Sequence, residues 1–225
     1  MLLYHGSNTP DIKILKPRQA DHDRPYLYMT TIKIVAGFYL INTVERPYYW
    51  FPYGFEKDGT VHYQEWYPNA LREAAEGKKG YIYTIEAKEE DTLPLPNIPC
   101  ARLAVTPMPV LDCQTITDCY KWLMEQQKRG AFILKKYTDK TPAQLASMHG
   151  QLIQYLNEKN MKENPACSYA KFIQTKFPTV WEAYINIKQE ESILFPTHIK
   201  LIPPPTLKYQ LTKLPPAAIS TFRHT

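Results

Sequence analysis

The residues of this 225-residue chain best equipped for chemistry lie near its start, in three short strings. In order they are Tyr4-His5-Gly6-Ser7, Tyr28-Met29-Thr30-Thr31 and Ala36-Gly37-Phe38-Tyr39. They combine a histidine, which hydrogen-bonds through either ring nitrogen, with two tyrosines eleven positions apart whose rings can stack. The signatures of other chemistries are missing. No G-x-x-x-x-G-K-[ST] or G-x-G-x-x-G occurs, so neither a P-loop nor a Rossmann dinucleotide site is supported. There is no G-x-S-x-G elbow and only five serines, which argues against a serine hydrolase. The six histidines (His5, His22, His62, His149, His198, His224) are scattered, without H-E-x-x-H or other metal-ligand spacing.

Taken together and in order, the three strings resemble the ADP-ribosyltransferase-like superfamily, in the His-Tyr subclass of diphtheria toxin and the poly(ADP-ribose) polymerases. The resemblance covers residues 2 to 40, under a fifth of the chain. It implies an α+β fold with a split β-sheet core, and NAD as the bound substrate. His5 would then hydrogen-bond a ribose hydroxyl, and Gly6 would let the backbone approach the nicotinamide carboxamide. Tyr28 and Tyr39 would form two walls around the nicotinamide ring, and Gly37 would sit where the ligand passes closely.

The implied activity is mono-ADP-ribosyl transfer, which breaks the nicotinamide–ribose bond and passes ADP-ribose to a protein or nucleic-acid acceptor the sequence does not identify. Active relatives of this kind use a glutamate on a later strand to stabilise the positive charge that develops on the ribose. The turn Thr106-Pro107-Met108-Pro109, where that acid is expected, has no carboxylate. Glu191, Glu65 and Asp112 stand as alternatives, Glu191 because it opens the strand-like run Glu191-Ser192-Ile193-Leu194-Phe195. Two other readings remain open: a non-catalytic interaction module, and an RNA 2′-phosphotransferase-like enzyme using basic residues such as Lys13, Lys16, Arg18 and Arg24.

The elements that must position these residues follow from periodicity. Leu2–His5 reads as a strand ended by the turn cluster Gly6-Ser7-Asn8, and Tyr26–Thr30 as a second strand. Ile32, Val35, Ala36, Tyr39 and Leu40 form a helical stripe, capped by Thr30 or Thr31. Nine aromatics crowd residues 48 to 67, with Asp58-Gly59 as a hairpin turn between two runs. A short helix is expected over Asn69–Glu76, and strands over Tyr81–Ala87, Ala101–Thr106 and Val110–Gln114. Further on, Thr117 caps a helix to Lys128, Phe132–Tyr137 reads as a strand, and Thr141-Pro142 and Asn164-Pro165 each open a helix. A last strand is expected at Ser192–Leu194, Ile199–Ile202 or both. This divides the chain into a core over 1–113, a mostly helical segment over 114–202 packed on it, and a Pro-rich tail over 203–225.

Composition sets outer bounds. With 44% apolar residues the chain can sustain a packed core, and its net charge of +5 is too diffuse to demand a nucleic acid. No apolar run approaches the roughly 20 residues of a membrane span. The start lacks the basic and small-residue features of a signal peptide. Four cysteines without paired spacing read as reduced thiols, which together suggest a cytoplasmic protein with no membrane partner.

Overall fold

The structure, a computed structural model, describes residues 1–19, 24–41, 53–95 and 98–186. It is a mixed α+β fold. In chain order the elements begin with β1 (Leu2–Ser7), β2 (Ile14–Leu15), β3 (Leu27–Thr30) and α1 (Lys33–Tyr39). There follow β4 (Tyr53–Phe55), β5 (Val61–Gln64), α2 (Ala70–Ala75), β6 (Gly80–Glu86), β7 (Leu93–Leu95) and β8 (Ile98–Ala104). The rest are β9 (Met108–Pro109), β10 (Asp112–Ile116), α3 (Cys119–Lys128), β11 (Ile133–Lys135), α4 (Pro142–Glu158), α5 (Ser168–Lys176) and α6 (Pro178–Asn186).

Six strands make an antiparallel sheet in the order β10-β6-β1-β3-β8-β7. β1 continues through Gly6 and Ser7, beyond the expected turn, because β6 supplies partners along its whole length: Gly6 faces Ile82 and Ser7 faces Tyr81. The sheet is unevenly joined. β1 pairs β6 over six residues and β3 pairs β8 over four, yet between β1 and β3 the register holds one pair, Tyr4 with Thr30. The sheet is therefore nearly divided at its middle.

Alternation along β1 sends Leu3 to one face and Tyr4 and Gly6 to the other. Leu3, Leu27, Met29, Tyr83 and Ile85 form a core with Leu15 and Met108, which the small β2–β9 pair brings down onto that face. Helices α1 and α3 cover the opposite face, where Val35, Ala36, Phe38 and Leu123 bury against Ile82 and Ile116. α1 starts without a side-chain cap: Ile32 occupies that position, and Thr30 Oγ1 instead accepts the Ile32 amide in a turn just before it. The Asp58-Gly59 hairpin is present between β4 and β5, with Gly59 at φ +86°. β11 joins it in parallel to β5, making a three-stranded sheet.

The Asp118 carboxylate, not Thr117, caps α3 by accepting the Lys121 amide. The Thr141-Pro142 start is borne out as a full capping box with Gln144. Asn164-Pro165 instead lies in the turn before α5, whose cap is the Cys167 sulfur. α4, α5 and α6 share a separate core of Leu152, Leu156, Ile173, Val180 and Tyr184, which meets the rest through Tyr67 and Ala70. β10 runs across position 113, so sheet pairing is continuous through the expected domain boundary. The expected final strands, Glu191 and the tail over 203–225 lie outside the described residues. Among the described residues no helix is long and apolar enough to cross a membrane.

Candidate functional site

The geometry at the β1–β3 junction is set by His5. Its Nδ1 lies 2.7 Å from the Tyr28 carbonyl oxygen. A carbonyl only accepts, so Nδ1 carries the proton, and in the neutral ring Nε2 keeps a lone pair that accepts a hydrogen bond. Burial holds the His5 pKa below its ordinary value, with the Arg18 charge adding to this against the opposing effect of the Tyr28 bond. The imidazole therefore favours its neutral form. Backbone pairing between Arg18 and Tyr26 ties the Arg18 segment to the start of β3.

Gly6 follows on β1, and α1 is seated on it. A Cβ added at Gly6 would fall 2.1 Å from the Ala36 carbonyl oxygen and 3.3 Å from Tyr39 Cβ. The close approach that Gly6 permits is thus by the α1 backbone, which also brings Tyr39 beside β1. Gly37 likewise has a neighbour within the protein. Its missing Cβ is replaced by the Trp122 ring of α3, 2.3 Å from where that Cβ would sit, rather than by a surface left for a ligand.

The two tyrosines arrive from different elements on one face of the sheet. Tyr28, two residues before Thr30, shares the face of Tyr4 and Gly6 and packs edge-on against Tyr26. Tyr39, the last residue of α1, keeps 39% of its surface exposed. Its hydroxyl lies 3.4 Å from that of Tyr53, and burial raises the pKa of both phenols. Tyr53 was legible in sequence only as one of a crowd of aromatics. Cys100 on β8 was not singled out at all; its carbonyl accepts the Thr31 amide at 2.8 Å, and burial pushes its thiol pKa up.

The two described carboxylate candidates sit elsewhere. Glu65, at the end of β5, is 6% exposed. Its Oε1 accepts the Leu71 amide and its Oε2 the Tyr137 amide, each at 3.2 Å, so the side chain ties α2 to the turn after β11. Asp112 opens the edge strand β10, exposed, opposite Thr84 of β6, which in turn faces Tyr4. With strands about 5 Å apart, two steps put its backbone about 10 Å from β1. The structure thus brings His5, Gly6 and Tyr28 to the β1–β3 junction with Tyr39 beside Gly6, although alternation places the His5 side chain on the Leu3 face and Gly6, Tyr28 and Tyr39 on the other. Asp112 lies two strands away, and both Glu65 oxygens are taken by backbone amides. Among the described residues no cluster of three or more His, Cys, Asp or Glu could hold a metal ion.

No family model, no characterised protein and no solved structure significantly matches this chain.

Proposed function

We propose that this chain is an ADP-ribosyltransferase-like protein that binds NAD at the β1–β3 junction, with His5, Gly6, Tyr28 and Tyr39 as the binding residues. The observation that carries the reading is the single register pair between β1 and β3, with the His5 ring bridging to the Tyr28 carbonyl. It supports the split-sheet expectation, and it leaves the His5 Nε2 lone pair to accept a ribose hydroxyl. Tyr28 and Tyr39, on the same face as Gly6, would flank a flat ring entering there, at on the order of 1 kcal/mol for each wall.

Mono-ADP-ribosyl transfer is the stronger form of this reading and needs a carboxylate beside the ribose. Glu65 has both oxygens engaged by backbone amides, and Asp112 lies at the sheet edge. That observation favours a second reading, in which the same junction binds the dinucleotide and transfers nothing, serving as an interaction module.

Calorimetric titration of the full chain with NAD, followed by an assay for released nicotinamide, tests both. Binding with release supports transfer and directs mutagenesis to Glu191; binding without release supports the module. His5→Ala is expected to abolish binding with the fold intact by circular dichroism. An unchanged affinity removes His5 from the site, and no binding by the parent protein at millimolar NAD refutes the proposal.

A further inference from the structure

We infer that Tyr53, on the β4–β5 hairpin, is a positioning residue that holds the Tyr39 ring in place as a wall for a planar aromatic ligand ring; this rests on the NAD reading above. Tyr39 ends a helix of seven residues and is more than one-third exposed, so each contact that restrains its ring reduces the freedom lost on meeting a ligand. Tyr53 restrains it in two ways. The hydroxyls meet at 3.4 Å, and the rings cross edge-on at 64° with centroids 6.4 Å apart. At 3.4 Å the hydroxyl contact is long, so the ring packing carries at least as much of the restraint.

Tyr53 is itself well fixed. Its ring stacks on Phe38 at 5.7 Å and 28°, and Phe38 packs against Tyr63 and Phe132 in the core. Tyr53 also meets Phe55 edge-on, two residues along the same strand. Just past β4, Glu56 lies 2.6 Å from His62 Nδ1 on β5 and also pairs with Lys135 on β11, clamping the hairpin to its neighbouring strand. Restraint therefore runs from the core through Phe38 and Tyr53 to Tyr39, the wall nearest solvent. A wall ordered in advance spares the ligand the cost of ordering it.

The test is a double-mutant cycle on NAD affinity with Tyr53→Phe and Tyr39→Phe, melting each variant in parallel. Tyr53→Phe keeps the stack on Phe38 and removes only the hydroxyl; about three-fold weaker binding is expected, with an unchanged melting temperature. The double variant should bind no worse than the weaker single one, because both remove the same contact. Tyr53→Leu, which also removes the ring, should cost about ten-fold or more. In the free parent protein, ring-labelled tyrosine NMR should show a more mobile Tyr39 ring in Tyr53→Leu than in the parent. Normal NAD binding by both Tyr53 variants, or an equally ordered Tyr39 ring, overturns this inference alone. Failure of the parent protein to bind NAD overturns the function on which it rests.

Discussion

Substituting Gly6 by alanine tests whether α1 is seated on β1 as described. The added Cβ would lie 2.1 Å from the Ala36 carbonyl oxygen, 3.1 Å from its carbon and 3.3 Å from Tyr39 Cβ, where ordinary contact begins at 3.4 Å. Relief requires a separation of about 1 Å, and no side chain can rotate to provide it, because the obstructing atoms are the Ala36 carbonyl and a Cβ fixed to the backbone. β1 is held by six register pairs to β6, and α1 buries Ile34, Val35, Ala36 and Phe38. Overpacking of this kind costs about 1–3 kcal/mol, and two immobile partners put Gly6→Ala at the upper end. For a chain of this size that lowers the melting temperature by about 10 °C. The retreat of α1 would also displace Tyr39 and weaken the proposed NAD binding. Thermal melting by circular dichroism reads the first effect, with Gly150→Ala as the control. Nothing lies within 4 Å of a Cβ at Gly150 in α4, so that variant should gain up to about 1 kcal/mol. A Gly6→Ala protein melting within 2 °C of the parent would falsify the packing of α1 on this strand.

Glu65→Ala leaves the buried Leu71 amide and the partly buried Tyr137 amide without their acceptor, so a loss of about 2–3 kcal/mol is expected by urea denaturation. Asp112→Ala, on an exposed edge, should change stability by less than about 0.5 kcal/mol, and equal effects for the two variants would contradict the structural role given to Glu65. Stability should also fall with acid. His5 and His62 are both held below their ordinary pKa, chiefly by burial, aided by Arg18 for His5 and by Lys135 for His62, while Glu56 opposes the shift at His62. The unfolded chain takes up protons near pH 6.5 that the folded one resists, so stability is full above that pH and declines as pH drops below it toward the lowered folded values. Melting at pH 5.5 should therefore come earlier than at pH 7.5, and His62→Gln should narrow the gap. A flat profile, or one rising toward acid, would contradict these shifts.

Signals carried by neighbouring residues were the legible ones. Thr141, Pro142 and Gln144 lie within four positions and specify a capping box by themselves. Asp58-Gly59 specifies its turn because Gly59 can adopt φ +86° at no steric cost. The strings around His5, Tyr28 and Tyr39 fall at the ends of β1, β3 and α1, as local patterning led one to expect. What escaped depends on distant partners. The two-residue strands β2 and β9 have no periodicity of their own and exist through pairing of Ile14 with Pro109 and Leu15 with Met108. The costly glycine in α1 suggested a ligand, but the space is filled by Trp122, 85 positions away. Asp118 displaced Thr117 as the α3 cap by one residue, a choice settled by which side chain reaches the Lys121 amide. Glu65 stood among the alternatives for the catalytic acid because nothing local shows that it will face two backbone amides.

The contact that seats α1 on β1 also limits what the junction can do. Gly6 lacks a side chain because α1 lies against it, and that seating fixes Tyr39 relative to His5 and Tyr28. A ligand wedged between Gly6 and α1 would have to displace backbone, since a Cβ at Gly6 would already fall 2.1 Å from the Ala36 carbonyl oxygen. Binding and transfer then separate physically. The proposed binding would draw on groups already held by the sheet and by α1. Transfer needs a negative charge at the ribose, which neither the amide-bound Glu65 nor the edge residue Asp112 is placed to supply. Should the parent protein release nicotinamide, Glu191→Gln tests whether Glu191 supplies that charge: release is expected to be lost with NAD affinity largely intact, and unchanged release would remove Glu191 from the candidates.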